Sequence, residues 1–334
     1  MNIYDVAKEA GVSIATVSRV LNDPSLVSEK TRKKVEEVLL KHNYTPNAIA
    51  RGLVVKSMKT IGVLTIDIRD VYYANVAYTI EHEFSKYGYN VILCNTGGDS
   101  EEKAKYIKVL AEKKVDGMIL VGSVFKDKKI DKSIENIAQS LPIVTVNGYV
   151  DAKNTYSIIC DDAYGVSCCV EHLYNSGHRK LVYLQDADTY SAQSKVQGFV
   201  TGINKIGPSP VGYKIIKTER GIDGGMSAVD SLINSGFDFT GLIAGEDITA
   251  IGAMNRLISL GKKVPEDMSI IGFNNSNMTR CCTPELTSVD NKMESMGIGA
   301  VRILSDVLEG RNIAPKTVIT PELIIRSSTS RIKV

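Results

Sequence analysis

The sequence predicts a small all-α helix-turn-helix headpiece followed by a two-lobed α/β core with doubly wound parallel sheets. Three observations predict it. Residues 1–43 carry helical periodicity in three short segments, a strand–helix alternation runs from Ile61 onward in two successive halves, and a positive surplus is confined to the head. At 334 residues the chain is long enough for two or three domains, one of them with a sizeable core.

In the head, Asn2 is placed to cap a first helix, with Asp5 three residues on in a capping-box arrangement. Val6, Ala7 and Ala10 form its apolar stripe, and Gly11 supplies the left-handed stop. Ser13 then caps a second helix to about Leu21, with Val17, Val20 and Leu21 inward and Ile14, Ala15, Ser18 and Arg19 on another face. Ser28 caps a third, Glu29 to Asn43, whose Val35, Val38 and Leu39 complete a small core. Two helices joined by Gly11-Val12-Ser13 form a helix-turn-helix, whose second helix is the one that enters a DNA major groove. Arg19 can donate two hydrogen bonds to a guanine or bind a phosphate. Ser13, Thr16, Ser18 and Asn22 suit phosphate oxygens, and Ile14 and Ala15 can touch thymine methyls. A plain helical packing module with a solvated face is the competing reading.

Charge and composition narrow the classes. Residues 1–60 hold ten lysines and arginines against six aspartates and glutamates, a surplus of four; the remainder holds thirty against thirty-two. A basic head on a near-neutral body fits a polyanion partner for the head alone. No apolar run reaches the roughly 18 residues needed to span a bilayer, and Met1-Asn2-Ile3-Tyr4-Asp5 does not read as a secretory signal, so a cytoplasmic location is expected. Cys94, Cys160, Cys168, Cys169, Cys281 and Cys282 include no CxxC pair, which favours reduced thiols; a redox pair at Cys281-Cys282 is the lesser alternative. No P-loop, nucleophile elbow, Gly-x-Gly-x-x-Gly or metal-ligand spacing appears, so neither enzyme activity nor a cofactor or metal is expected. His178, beside Gly177 and Arg179 at a helix end, reads as a structural cap.

The run Ile3-Tyr4-Asp5-Val6-Ala7-Lys8-Glu9-Ala10-Gly11-Val12-Ser13-Ile14-Ala15-Thr16-Val17-Ser18-Arg19-Val20-Leu21-Asn22, with Val27-Ser28-Glu29-Lys30-Thr31-Arg32-Lys33-Lys34-Val35, strongly resembles the headpiece of the lactose/galactose repressor (LacI/GalR) family. Ile14-Ala15 look nearest its catabolite-control branch. The resemblance implies base contacts from Tyr4, Ile14, Ala15 and Arg19, and further DNA contacts from Ser13, Thr16, Ser18, Asn22 and Ser28. It continues through Pro46-Asn47, Ala50 and Leu53, which match a hinge helix. Such a two-turn helix is marginal alone. The family uses the leucine as a minor-groove wedge that kinks DNA, so Asn47, Ala50 and Leu53 are expected at DNA; packing of Leu53 on the core is the alternative.

From Ile61, apolar runs (Ile61–Ile66, Asn90–Cys94, Gly117–Val121, Ile143–Val146) alternate with helical stretches (Val76–Tyr87, Glu101–Lys113, Ile130–Ser140). The rhythm repeats in Leu181–Leu184, Ile215–Thr218, Gly241–Ala244 and Ser269–Ile271, with helices near Gly165–Ser176, Ala192–Ile206, Gly224–Asn234 and Ala250–Leu260. Such alternation means parallel sheets covered on both faces, with ligands beyond the carboxyl ends of the strands. Glu171–Lys180 (with Gly177-His178-Arg179), Gly198-Phe199, Asp247 with Ala250 and Gly252, Val264–Phe273 and Pro284–Val289 extend the resemblance over essentially the whole chain. It implies a periplasmic-binding-protein-like core crossed three times, near 160, 290 and 321. The expected division is a headpiece at 1–45, hinge helix and linker at 46–59, one lobe at 60–160 with 291–321, and a second at 161–290 with 322–334.

The resemblance places Tyr72, Tyr73, Asp161, Lys195 and Asn274 at the mouth of the interlobe cleft, and Asp247 joins them as an effector-binding candidate. Lys195 stands where sugar-binding members usually carry arginine, Asn274 where they carry aspartate, and Glu246 is a further departure. These changes predict a net cationic clamp and favour a small anionic effector over a neutral sugar or nucleoside. A protein co-regulator docking on a helix from Ser295 to Glu309, with Arg302 and Asp306, is a third possibility. The function expected is a sequence-specific DNA-binding regulator, a repressor first of all. It acts as a homodimer on a pseudo-palindromic operator in double-stranded DNA, has no membrane partner, and is controlled by an effector in the cleft. A solute-binding protein of the same core fold and a doubly wound enzyme are the rivals.

Overall fold

Local capping chemistry sets the headpiece. The computed structural model describes residues 2–43, 57–206 and 211–332, and the chain separates into two units, Met1–Lys59 and Thr60–Val334. Asn2 accepts hydrogen bonds from the Tyr4 and Asp5 amides at 2.9 and 3.1 Å, and its own amide donates to the Asp5 carboxylate at 2.8 Å. This capping box opens α1, Ile3–Ala10, and Gly11 at φ 66° closes it. Ser13 Oγ accepts from the Thr16 amide at 3.1 Å and opens α2, Ile14–Asn22. Ser28 departs from expectation. It stands at the N-cap of α3, Glu29–Lys41, but accepts no capping bond; its hydroxyl donates to Thr31 Oγ1 at 3.0 Å. Val6, Ala7, Ala10, Val17, Val20, Val35 and Val38 form the headpiece core, with Leu21 and Leu39 partly buried against it. The hinge segment 44–56, with Asn47, Ala50 and Leu53, lies outside the described residues.

The larger unit holds two six-stranded sheets. The first is built from β1 (Thr60–Thr65), α4 (Val71–Lys86), β2 (Asn90–Asn95), α5 (Ser100–Glu112), β3 (Gly117–Val121), α6 (Lys128–Ala138), β4 (Ile143–Val146) and β5 (Thr155–Cys160). The second follows with α7 (Asp162–Asn175), β6 (Lys180–Gln185), α8 (Tyr190–Lys205), β7 (Gly212–Lys217), α9 (Ile222–Asn234), β8 (Gly241–Ala244), α10 (Asp247–Ser259), β9 (Ser269–Phe273) and β10 (Thr287–Asp290). The chain then returns to the first sheet through α11 (Met293–Leu308) and β11 (Lys316–Ile319), and ends in the second with β12 (Glu322–Ile324). Strand orders are β11-β5-β4-β3-β1-β2 and β12-β10-β9-β8-β6-β7. All pairs are parallel except β10–β12. β3, β4, β8 and β9 are buried along their whole length, as central strands covered on both faces must be.

β11 and β12 carry only two apolar residues each; both lie at sheet edges, β11 largely exposed and β12 half-buried at Leu323 and Ile324. Close helix crossings depend on glycine: a Cβ on Gly252 of α10 would collide with the Ile222 carbonyl of α9, and one on Gly225 with the Thr249 carbonyl. His178 ties the tail to the second sheet rather than capping a helix. Nε2 lies 3.2 Å from the Ser330 carbonyl and must donate to it, so Nδ1 accepts from Thr240 Oγ1 at 3.0 Å. One proton satisfies both bonds, and burial lowers the imidazole pKa.

Candidate functional sites: a DNA-reading helix and an interlobe cleft

The outward face of α2 presents Ile14, Ala15 and Arg19 to solvent, with Thr16 and Ser18 half-buried. Ile14 is 41% exposed and Tyr4 on α1 66%, so two apolar side chains stand in water on a face that the headpiece core does not need. Among the described residues no carboxylate pairs with Arg19. Ser13 and Thr16 share a hydroxyl–hydroxyl bond of 2.8 Å, which holds both at the amino end of α2. Asn22 closes that helix.

The core's strand ends converge on a cavity of about 220 Å³. Ile66, Gly122 and Asn147 follow β1, β3 and β4; Asp186, Asn274 and Asn291 follow β6, β9 and β10, and all line it. The cavity therefore lies where doubly wound sheets bind ligands. A neighbouring chamber of about 430 Å³ shares Tyr72, Arg220, Glu246 and Asn274 with it and adds Asp70, Asp247, Met278 and Met293.

Five of the six candidates reach these chambers. Tyr72 and Tyr73 open α4 as an edge-to-face pair with centroids 5.2 Å apart, and both are largely buried. Burial raises the phenol pKa of each. Lys195 on α8 donates to the Gly245 carbonyl at 2.8 Å and lies 3.8 Å from the centre of the Phe273 ring. Asn274, at φ 102°, accepts from Asn291 Nδ2 at 2.8 Å. Asp247 accepts from Ser288 Oγ at 2.5 Å and the Ser276 amide at 2.7 Å; burial pushes its carboxyl up to about 6 against those two donors.

Asp161 does not reach the cavity. It caps α7 by accepting from the Tyr164 amide at 3.0 Å and is exposed. The buried residue is its neighbour Asp162, one step round the helix, which accepts from Ser191 at 2.5 Å and Asn147 at 3.4 Å. Burial raises the Asp162 carboxyl pKa, with Lys195 acting in the other direction.

The expected net cationic clamp is also corrected. Asp70, Asp186, Glu246 and Asp247 line the two chambers against Arg69, Lys195 and Arg220. Arg220 supplies much of the difference between expectation and structure. Its Nε lies 2.7 Å from Glu246 Oε2, a second nitrogen bonds Oε1, and Nη1 lies 2.7 Å from Asp70 Oδ2. Burial works to raise the Glu246 carboxyl, to about 7, and Arg220 to lower it. Asp186 was findable as the first residue past a strand; Arg220, in the loop 218–221, belongs to no motif that the sequence offers. On α11, Arg302 is exposed but Asp306 pairs with Arg311.

Comparison with known proteins agrees with this architecture. Residues 2–47 match the family described as bacterial regulatory proteins, lacI family, and residues 170–329 a periplasmic binding protein-like domain. An HTH-type transcriptional regulator of Lachnoclostridium phytofermentans is 39% identical over 333 residues, covering 99% of this chain and 100% of the relative. Catabolite control protein A of Priestia megaterium is 32% identical, covering 98% and 99%. The lac repressor dimer bound to operator and the anti-inducer ONPF superposes with a TM-score of 0.87 at 25% identity, over 99% of each chain. A helix-turn-helix headpiece carried on a two-lobed, effector-binding type of core, matched along its whole length by transcriptional regulators, makes this chain a member of the LacI family of bacterial transcription regulators.

Proposed function

We propose that the chain is a cytoplasmic, non-enzymatic repressor that binds a pseudo-palindromic operator as a homodimer and is switched by a small uncharged polyhydroxylated effector, such as a sugar, in the interlobe cleft. The observation that carries the effector class is the pairing of its cations. Arg220 is held by Glu246 and Asp70, and Lys195 by a carbonyl and an aromatic face. The charge of Arg220 is met by two carboxylates, whereas the buried Asp186 Oδ2 and Asn291 Oδ1, both on cavity-lining residues, have no hydrogen-bond partner among the described residues and are acceptors that ligand hydroxyls satisfy. The lac repressor structure with ONPF and operator supports the same arrangement. We assign one lobe to 60–160 with 291–321 and the other to 161–290 with 322–334. Tyr4, Ile14, Ala15 and Arg19 read bases, while Ser13, Thr16, Ser18, Asn22 and Ser28 set register and Asn47, Ala50 and Leu53 serve at the hinge.

Arg19 provides the test of the headpiece assignment. Arg19→Ala loses about 1–3 kcal/mol of discrimination between operator and random duplex if it reads guanine. Lys33, held by Glu29 at 3.1 Å, affects both duplexes alike when replaced by alanine. Fluorescence anisotropy on the two duplexes measures this, and equal losses on both for Arg19→Ala refute the role.

A further inference from the structure

We infer that Arg220 is a positioning residue that draws the two lobes together before any effector arrives, by anchoring on Glu246 in its own lobe and reaching Asp70 across the cleft. The inference rests on the cleft being the effector site only in what it says about affinity; the closure itself does not depend on that reading.

Geometry makes this more than a surface pair. A guanidinium is planar and rigid, so gripping one carboxylate with two nitrogens fixes where the third points. Arg220 grips Glu246 with Nε and Nη2, and Nη1 then meets Asp70 Oδ2 at 2.7 Å. Asp70 is fixed in turn: its other oxygen accepts from the Tyr72 amide at 2.8 Å and caps α4. The side chains are 36% and 17% exposed, so solvent screens the contact only in part. It joins the start of α4, packed on the first sheet, to the loop after β7 in the second. Among the described ion pairs away from the crossover segments, it is the one that links the lobes.

Arg220 and Glu246 of the latch also line both chambers, and Asp70 lines the larger one. Parting the lobes would separate Asp70 from Arg220 and merge both chambers into an open groove. A ligand seated against these residues binds the closed arrangement, and its apparent affinity scales with the fraction of molecules already closed. Arg220 therefore sets how much of the effector's binding is spent on closing the protein.

The test uses the full-length protein without ligand. Asp70→Asn removes the charge across the cleft, keeps a side chain that caps helices well, and leaves Arg220 on Glu246. Arg220→Lys keeps a charge but cannot grip one carboxylate while reaching the other. Small-angle scattering is expected to show a larger radius of gyration for both variants. Hydrogen exchange is expected to be about tenfold faster at Ser123 and Val124, which line the cavity beyond β3 and are distant in sequence from both substitutions. Wild-type radius and exchange in both variants would overturn the latch, as would faster exchange confined to the first turn of α4, which a lost cap alone would produce. If one variant does not fold, the other decides. Operator binding by the wild type is measured in parallel. Its absence would remove the regulator reading and leave the closure result standing.

Discussion

Lys195→Ala is expected to destabilise the core by about 2–5 kcal/mol, the cost of truncating a long buried side chain packed on Phe273 and of leaving the buried Gly245 carbonyl without its donor. Lys195 is 7% exposed, and its charge acts on both Asp162 and Asp247. Urea denaturation at pH 7 reads the loss. Its pH dependence has a definite sign. The Asp247 carboxyl is already pushed up to about 6 by burial, and loss of Lys195 raises it further. The folded variant therefore binds more protons than its unfolded chain through the window from about 4 to above 6, and gains stability as pH falls through it. The deficit against wild type shrinks on acidification. A variant as stable as its parent at pH 7, binding the effector equally well, would show that this lysine holds neither the core nor the cleft.

Gly252→Ala is the second large effect. The added methyl meets the backbone of α9 at Ile222, not a side chain that can turn away, so the two helices must part. A loss at or above the upper end of about 1–3 kcal/mol follows. Gly98→Ala is the control: its Cβ meets nothing within 4 Å, and a change within about 0.5 kcal/mol is expected. Equal midpoints for both in thermal unfolding would contradict the close crossing of α9 and α10.

The headpiece was legible nearly to the residue because short-range rules decide it. Asn2 with Asp5, Gly11 and Ser13 act on amides a few positions away, and the structure uses them as expected. At Ser28 the residue type suits a cap, but its hydroxyl points to Thr31 Oγ1 and accepts from no amide, a rotamer that the pattern does not decide. Central strands were legible because burial on both faces writes continuous apolar runs, as in Gly117–Val121 and Gly241–Ala244. The edge strands β11 and β12 hold only two apolar residues each, Val318-Ile319 and Leu323-Ile324, too few to write a continuous run.

The cleft was legible in place but not in charge. The resemblance puts Tyr72, Tyr73, Lys195 and Asn274 at the mouth of the interlobe cleft, and they line the cavity. Asp161 and Asp162 are adjacent, and only the helix phase decides which one turns inward. The ion pairing of Arg220 with Asp70 joins residues 150 positions apart across two lobes, a contact that no local pattern encodes. Without it, Lys195 looked like an unopposed cation.

The central claim is sequence-specific DNA binding governed from the cleft. It is tested most directly by selecting from a random duplex library with the full-length protein, then titrating the enriched duplex at about 0.15 M salt with and without a panel of monosaccharides and sugar phosphates. The account predicts enrichment of a pseudo-palindrome, bound by a homodimer with an affinity that falls linearly in log–log coordinates as salt rises. It also predicts that an uncharged sugar, and no sugar phosphate, shifts that affinity while leaving random DNA unaffected. Failure to enrich any symmetric site, or a selected site whose affinity responds only to the phosphorylated compounds, would contradict it.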